Sequence, residues 1–252
     1  MVNVLQSRVC LSEQTQVIRN LTDLLKSEFF SVIKKSCGES VAKYWLTGVL
    51  PAFRDGISPL TATKVISSNS RYHSLCGLTQ ENVNAIVERA LPESERAYTL
   101  DTLKRWYDGH IFSPALSGSE DTALYNPQLV FVHLQNVVSG QSPPSYIDEA
   151  TAVHTATVLS AVGETGPVTI DDLLDMLYSK ANARIMTELS FLELIKEPEK
   201  RSRNVTWSLL YYLGIVTFCK DLSCPEMHSV CVPNKTMFHL VSPGMSCLDV
   251  DH

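Results

Sequence analysis

The stretch Tyr44-Trp45-Leu46-Thr47-Gly48-Val49-Leu50-Pro51 constrains this chain more than any other. Its apolar and aromatic start predicts a short buried strand over Ala42 to Leu46, cut off by a polar Thr-Gly and then a proline. In an open α/β sheet, ligands sit outside the carboxyl ends of the strands. A hydroxyl and a glycine at that point therefore mark a site, or what is left of one. Nucleotide hydrolysis at such a site needs a phosphate-cradling loop, G-x-x-x-x-G-K-[ST]. No lysine of this sequence stands in a G-K-[ST] setting, so the chain has no visible grip for a β-phosphate and its magnesium.

The 252 residues allow one large domain or two small ones, with ample material for a core. Apolar content of 44%, charged content of 19% and a net charge of −6 are ordinary for a globular protein and exclude a chain-wide nucleic-acid footprint, which would be basic. The one local basic run, Lys200-Arg201-Ser202-Arg203, reads as a solvated loop. No run approaches the roughly 18 apolar residues of a membrane span, and Met1 to Cys10 lacks the apolar core of a signal peptide. Seven scattered cysteines fit free thiols in a reducing compartment. The expectation is an intracellular protein, cytoplasmic or nuclear, with unused sequons at Asn20, Asn204 and Asn234.

Periodicity predicts a helix over 11–36, with Ile18, Leu21, Leu24, Leu25, Phe29, Val32 and Ile33 on one stripe and Gly38 as its cap. Thr79 opens a helix that Pro92 closes, and another runs over 94–107 to the turn Tyr107-Asp108-Gly109. Asn126 as N-cap and Pro127 at the first helical position start a helix to about Val138. Gly140 to Pro144 is the best internal break. Further helices are predicted over 148–162, 169–179 (capped by Thr169) and 183–196. Val205 to Leu213 is apolar and aromatic and ends at Gly214. Ile215 to Cys219, Ser229 to Val232 and Met237 to Val241 are short apolar runs, and a helix followed by a short hairpin resembles a winged-helix layout.

Other chemistries find little support. Cys219, Cys224, His228, Cys231 and His239 are zinc-type ligands close in sequence, yet they contain no C-x-x-C pair, and Cys219 lies in an apolar strand where a thiol acts as a small hydrophobe. No metal site is expected. There is no G-x-S-x-G elbow. Glu197-Pro198-Glu199-Lys200 lacks the apolar strands a metal-dependent nuclease needs. Asp148 follows Pro143-Pro144-Ser145, so no strand delivers it to a magnesium ion, and it reads as a helix cap.

Several segments, in order, resemble one family: Trp45 to Pro51, His73 to Val83, Arg105 to Phe112, Leu124 to Pro127, Ser208 to Gly214 and Val232 to Lys235. Over roughly residues 15–241 they are similar to the later part of the AAA-ATPase-like family of bacteria and fungi, whose fungal members include Crinkler-related proteins. The resemblance implies an α/β, mostly helical chain. A partial P-loop NTPase-like sheet segment (1–78) is followed by a helical lid (79–140) and a winged-helix-like C-terminal part with a short β-hairpin (141–252). In the intact family ATP and magnesium are bound, and the phosphate loop and magnesium aspartate precede the matching region.

The resemblance also implies site residues. Thr47 matches the end of the sensor strand beside the γ-phosphate, where a hydroxyl orients water; it equally suits a cap on the next turn. Arg54, on the same loop, matches a phosphate-facing guanidinium, or is an exposed loop arginine. Tyr125, Asn126 and Pro127 sit where related ATPases pack against the nucleotide base; Asn126 and Pro127 are also explained by helix capping alone. The functional expectation is a truncated AAA-ATPase-like protein without hydrolysis of its own, an interaction or regulatory module whose open sheet edge a protein partner completes. The alternative is an ATP-binding NTPase whose phosphate loop comes from upstream sequence or a partner. Neither a membrane nor nucleic acid is expected as a partner.

Overall fold

The computed structural model describes residues 16–242 except 18, 19, 22, 38, 49, 52–63, 118–121, 142–145, 148–151, 153–158, 160, 161, 163–165, 195, 197–199 and 220–226. Arg54, Asp148, Cys224 and most of the helix predicted over 148–162 lie outside the described residues. The ordered elements are a π-helical turn Leu25–Phe30, α1 Ser31–Ser36, α2 Gln80–Ala90, α3 Glu93–Tyr107, α4 Pro127–Val138, α5 Ile170–Tyr178, β1 Ala181–Ala183, α6 Phe191–Leu194, α7 Arg203–Tyr212, β2 Thr217–Phe218, β3 His228–Cys231 and α8 Lys235–Val241. The protein is mostly helical, with a small three-stranded antiparallel sheet in the order β1-β3-β2. The chain divides into two compact units, Met1–Val65 with Met186–Glu197, and Ile66–Ile185 with Pro198–His252.

In the first unit the predicted amphipathic stripe is helical but does not line a core. Val17, Leu21, Leu24, Phe29 and Val32 are each more than half exposed. Phe30, on the same helical stretch, is buried, with Ile33, Tyr44 and Leu46 packed against it. The strand predicted over Ala42 to Leu46 is not formed. Residues 43–48 are not assigned to a strand, although their burial alternates: Tyr44 and Leu46 are half-buried, while Trp45 (64% exposed) and Thr47 face solvent. A period of two fixes which side chains share a face, whereas a strand also needs a neighbour to take its N–H and C=O groups. Here the inward face rests on a helix instead.

The helix predicted over 183–196 shrinks to α6. Its first residue is the end of β1, where Ala181 pairs with Val230 and Ala183 with His228. Tertiary pairing overrides a weak local preference.

The second unit is built on caps that the sequence announces. Thr79 and Asn82 form a capping box at α2, and Thr169 and Asp172 another at α5. Asn126, Ser202 and Asn234 accept from the N–H groups of Leu129, Val205 and Met237 at the starts of α4, α7 and α8. The last of these turns the apolar run Met237 to Val241 into a helix. One core gathers Val83, Val87, Leu103, Leu129, Val130 and Leu134 from α2, α3 and α4. A second gathers Leu173 and Met176 of α5, Trp207 and Leu210 of α7, and Phe218 and Val230 of the sheet.

The turn after α3 requires glycine. Gly109 has φ +108°, and a Cβ there would lie 2.0 Å from the Pro233 carbonyl oxygen. Gly140 also has positive φ (+67°) but open space around it. Gly109→Ala should therefore destabilise the chain by about 3 kcal/mol or more, strain plus forced backbone movement. Gly140→Ala should cost only about 1–2 kcal/mol. Urea unfolding of the two variants checks the contrast.

Candidate functional site

The segments of the second unit that carry the family resemblance converge on the backbone of 106–112. The Trp106 carbonyl accepts from Thr236 Oγ1 (2.7 Å) and the Asp108 carbonyl from Asn234 Nδ2 (2.8 Å). The Asn126 N–H donates to the Tyr107 carbonyl (3.0 Å), and His110 and Leu124 exchange both backbone bonds (3.1 and 3.0 Å). The buried Thr217 hydroxyl takes the Ile111 N–H (2.7 Å) and lies 3.2 Å from the Ile111 carbonyl. The Tyr211 hydroxyl donates to the Phe112 carbonyl (2.9 Å), and the Phe112 N–H donates to His73 Nδ1 (3.3 Å). His73 Nε2 faces the Thr122 carbonyl at 2.5 Å, so Nε2 carries the proton of the neutral ring. Side chains from four separate stretches, and the backbone of a fifth at 124–126, thus satisfy the end of α3 and the extended residues after it.

The named site residues fare differently. Tyr125 is buried; its hydroxyl donates to Gln80 Oε1 (2.6 Å) and its backbone bridges Leu78. Asn126 and Pro127 cap α4. These three stand together, and their polar groups are committed to internal partners. Thr47 belongs to the first unit, on the exposed side of the 43–48 segment. His73, Tyr211 and Thr217 were missed by sequence reasoning. Tyr211 and Thr217 act on partners 99 and 106 residues away, and no local pattern carries that information.

Burial dominates the electrostatics. It pushes the Tyr107 hydroxyl up to about 12, helped by Tyr146, and raises Tyr125 and Tyr211 as well. It lowers His110 to about 4 and also lowers His133 and His228. These groups are neutral near pH 7. Burial works against the Asp172 carboxylate, but the Thr169 N–H and hydroxyl and the Arg203 guanidinium outweigh it and hold that group below the usual range. Arg203 donates to the Pro167 carbonyl (2.7 Å) and to Asp172 (3.4 Å), and lies 5.8 Å over the Trp207 ring. The arginine of the basic run is therefore an internal tie as well as a surface charge. Among the described residues, no group of three or more His, Cys, Asp or Glu side chains is placed to hold a metal ion. No helix among them is long and apolar enough to cross a membrane.

No protein-family model matches the sequence, and no solved structure matches it. Over 113 residues, 44% of this chain, it is 32% identical to an uncharacterized protein in the vnfD 5′ region of Azotobacter chroococcum mcd 1. The chain spans 19% of that protein's length.

Two outcomes follow from this geometry. An unfolded imidazole takes up its proton near pH 6.5, whereas His110 in the fold does so near 4. The unfolded chain binds more protons between those values, so this contribution to stability is complete above about 6.5 and is lost as pH falls toward 4. For this group the loss from pH 7 to pH 5 is about 2 kcal/mol. His110→Phe should remove most of it in urea unfolding at the two pH values, leaving a smaller slope of the same sign from His133 and His228. Thr217→Val leaves the Ile111 N–H buried without its acceptor and should cost about 1–3 kcal/mol, read by the same unfolding measurement.

Proposed function

We propose that this chain is the later part of an AAA-ATPase-like domain and works as an interaction or regulatory module without ATP hydrolysis of its own. The observation that carries the reading is the first unit's exposed apolar stripe. Val17, Leu21, Leu24, Phe29 and Val32 recur along one helical stretch, with Trp45 exposed on the segment that follows. Large apolar side chains left exposed along one helical stretch are what protein partners cover.

The second unit supports the same reading. Its elements α5, β1, α7, β2 and β3 end on a helix followed by a short hairpin, the layout expected of a winged-helix-like part, with the first strand paired to the third. The helix before the hairpin, α7, buries Val205, Thr206, Trp207, Ser208, Leu210 and Tyr211. A helix so enclosed has little face left for a DNA groove, which favours a protein-packing role. The polar groups of Tyr125 and Asn126 being committed internally argues for a structural part in the lid.

Calorimetric titration of the whole chain with ATP, with and without magnesium, tests the absence of a complete nucleotide site. No heat at high micromolar protein is expected. Magnesium-dependent binding at micromolar affinity would overturn the reading in favour of an ATP-binding enzyme, with Thr47→Ala and Arg54→Ala as the next variants. For the stripe, Leu24→Glu with Phe29→Glu should suppress the self-association expected of the unmodified chain at micromolar concentrations and above, measured by sedimentation velocity. An unmodified chain that stays monomeric throughout would remove the main support for a docking face.

A further inference from the structure

The β2–β3 hairpin brings two thiols together. Thr217 pairs with Cys231 and Phe218 with Val230, and the Cys219 N–H donates to the Ser229 carbonyl (2.9 Å), so the ladder continues one residue past β2. Side chains alternate along each strand. Thr217, Cys219, Ser229 and Cys231 therefore share one face, and Phe218 and Val230 take the other, inside the core. Cys219 and Cys231 are diagonal neighbours on their face, and their thiols are hydrogen-bonded to one another. Cys219 is buried and Cys231 half-buried.

We propose that Cys219 and Cys231 form a reversible, oxidant-sensitive disulfide across the β2–β3 hairpin, with a hydroperoxide as the oxidant. The inference is independent of the AAA-ATPase-like reading. Cys231, the more open sulfur, meets the oxidant first. Its thiolate bonds to the terminal oxygen as the O–O bond breaks; the leaving hydroxide takes up a proton and departs as water, and Cys231 is left as a sulfenic acid. The Cys219 thiolate then attacks that sulfur, the S–S bond forms, and the second hydroxide leaves as water. Two thiols lose two electrons, and hydrogen peroxide is reduced to two water molecules. In the reduced pair the Cys219 pKa lies below the ordinary thiol value: the hydrogen bond from Cys231 lowers it most, burial opposes this, and the Lys180 ammonium, which stays in place after Cys231 is oxidised, lowers it further.

The geometry also fixes the character of the bond. Diagonal neighbours in an antiparallel pair stand about 7–8 Å apart at Cα, while a relaxed disulfide spans about 4.4–6.8 Å. Closing it requires the hairpin to coil slightly more tightly. β2 is two residues long and lies at the edge of the sheet, so it can give way. A disulfide made under such strain is readily reduced, the property of a regulatory rather than a structural bridge. Its closure would act on the strand whose Thr217 holds Ile111.

The test uses the full chain carrying Cys224→Ser, which removes the thiol between the two in sequence. After hydrogen peroxide treatment, remaining thiols are alkylated and the unreduced protein is digested for mass spectrometry. The expected product is a Cys219–Cys231 linked peptide, lighter by two hydrogen atoms than the two free peptides. Alkylation of both cysteines should fall in step and return with dithiothreitol. Adding Cys231→Ser should leave Cys219 unreactive to peroxide and fully alkylated. The proposal is overturned if peroxide drives Cys231 to sulfinic acid while Cys219 still alkylates, if either sulfur pairs with a different cysteine, or if both stay reduced when Cys76, the exposed thiol, is already oxidised.

Discussion

The buried hydroxyl of Thr217, taking the Ile111 N–H and lying against the Ile111 carbonyl, is the contact on which the second unit depends. Ile111 lies in an extended segment with the isolated bridge His110–Leu124 beside it and no continuous ladder. Buried backbone groups without partners cost as much as lost hydrogen bonds. That obligation falls on side chains: Thr217 and Tyr211 from the sheet end, Asn234 and Thr236 from the start of α8, His73 from the turn before α2. Ile111 of this segment lies in the core of α5, α7 and the sheet, and Tyr107 just before it lies in the helical core of α2, α3 and α4.

The same economy leaves the polar groups around this segment committed to internal partners. Asn126 caps α4 with its side chain and ties Tyr107 with its backbone. Asn234 caps α8 and holds Asp108. The histidines and tyrosines around them are pushed toward their neutral forms by burial. Groups held neutral and already hydrogen-bonded suit a part of the protein that keeps its shape, and leave little for proton transfer near pH 7. The first unit has the opposite character, with apolar side chains turned to solvent along a helix that buries few of them.

The local signals in the sequence were strong where the physics is local. Thr79, Asn126 and Thr169 each place a side-chain oxygen three residues before the N–H it satisfies, and all three helix starts stand where those residues put them. Gly214, with φ +78°, ends α7 where expected. Failures came where a segment's state depends on a distant partner. Residues 43–48 keep the alternation of a strand without forming one. Residues 181–183 form a strand because Val230 and its flanking residues are there to receive them.

By itself, then, the sequence determined the helix starts, the turns and which side chains share a face, since caps, glycines and periodicity act within a few residues. It also determined that no phosphate loop stands in these 252 residues. Only the tertiary structure decided that the first stripe faces solvent, that Tyr125 is packed against Gln80, and that Thr217, Tyr211 and His73 secure a segment far away in the chain. Burial and long-range hydrogen bonds depend on which surfaces meet, and no window of neighbouring residues encodes that meeting.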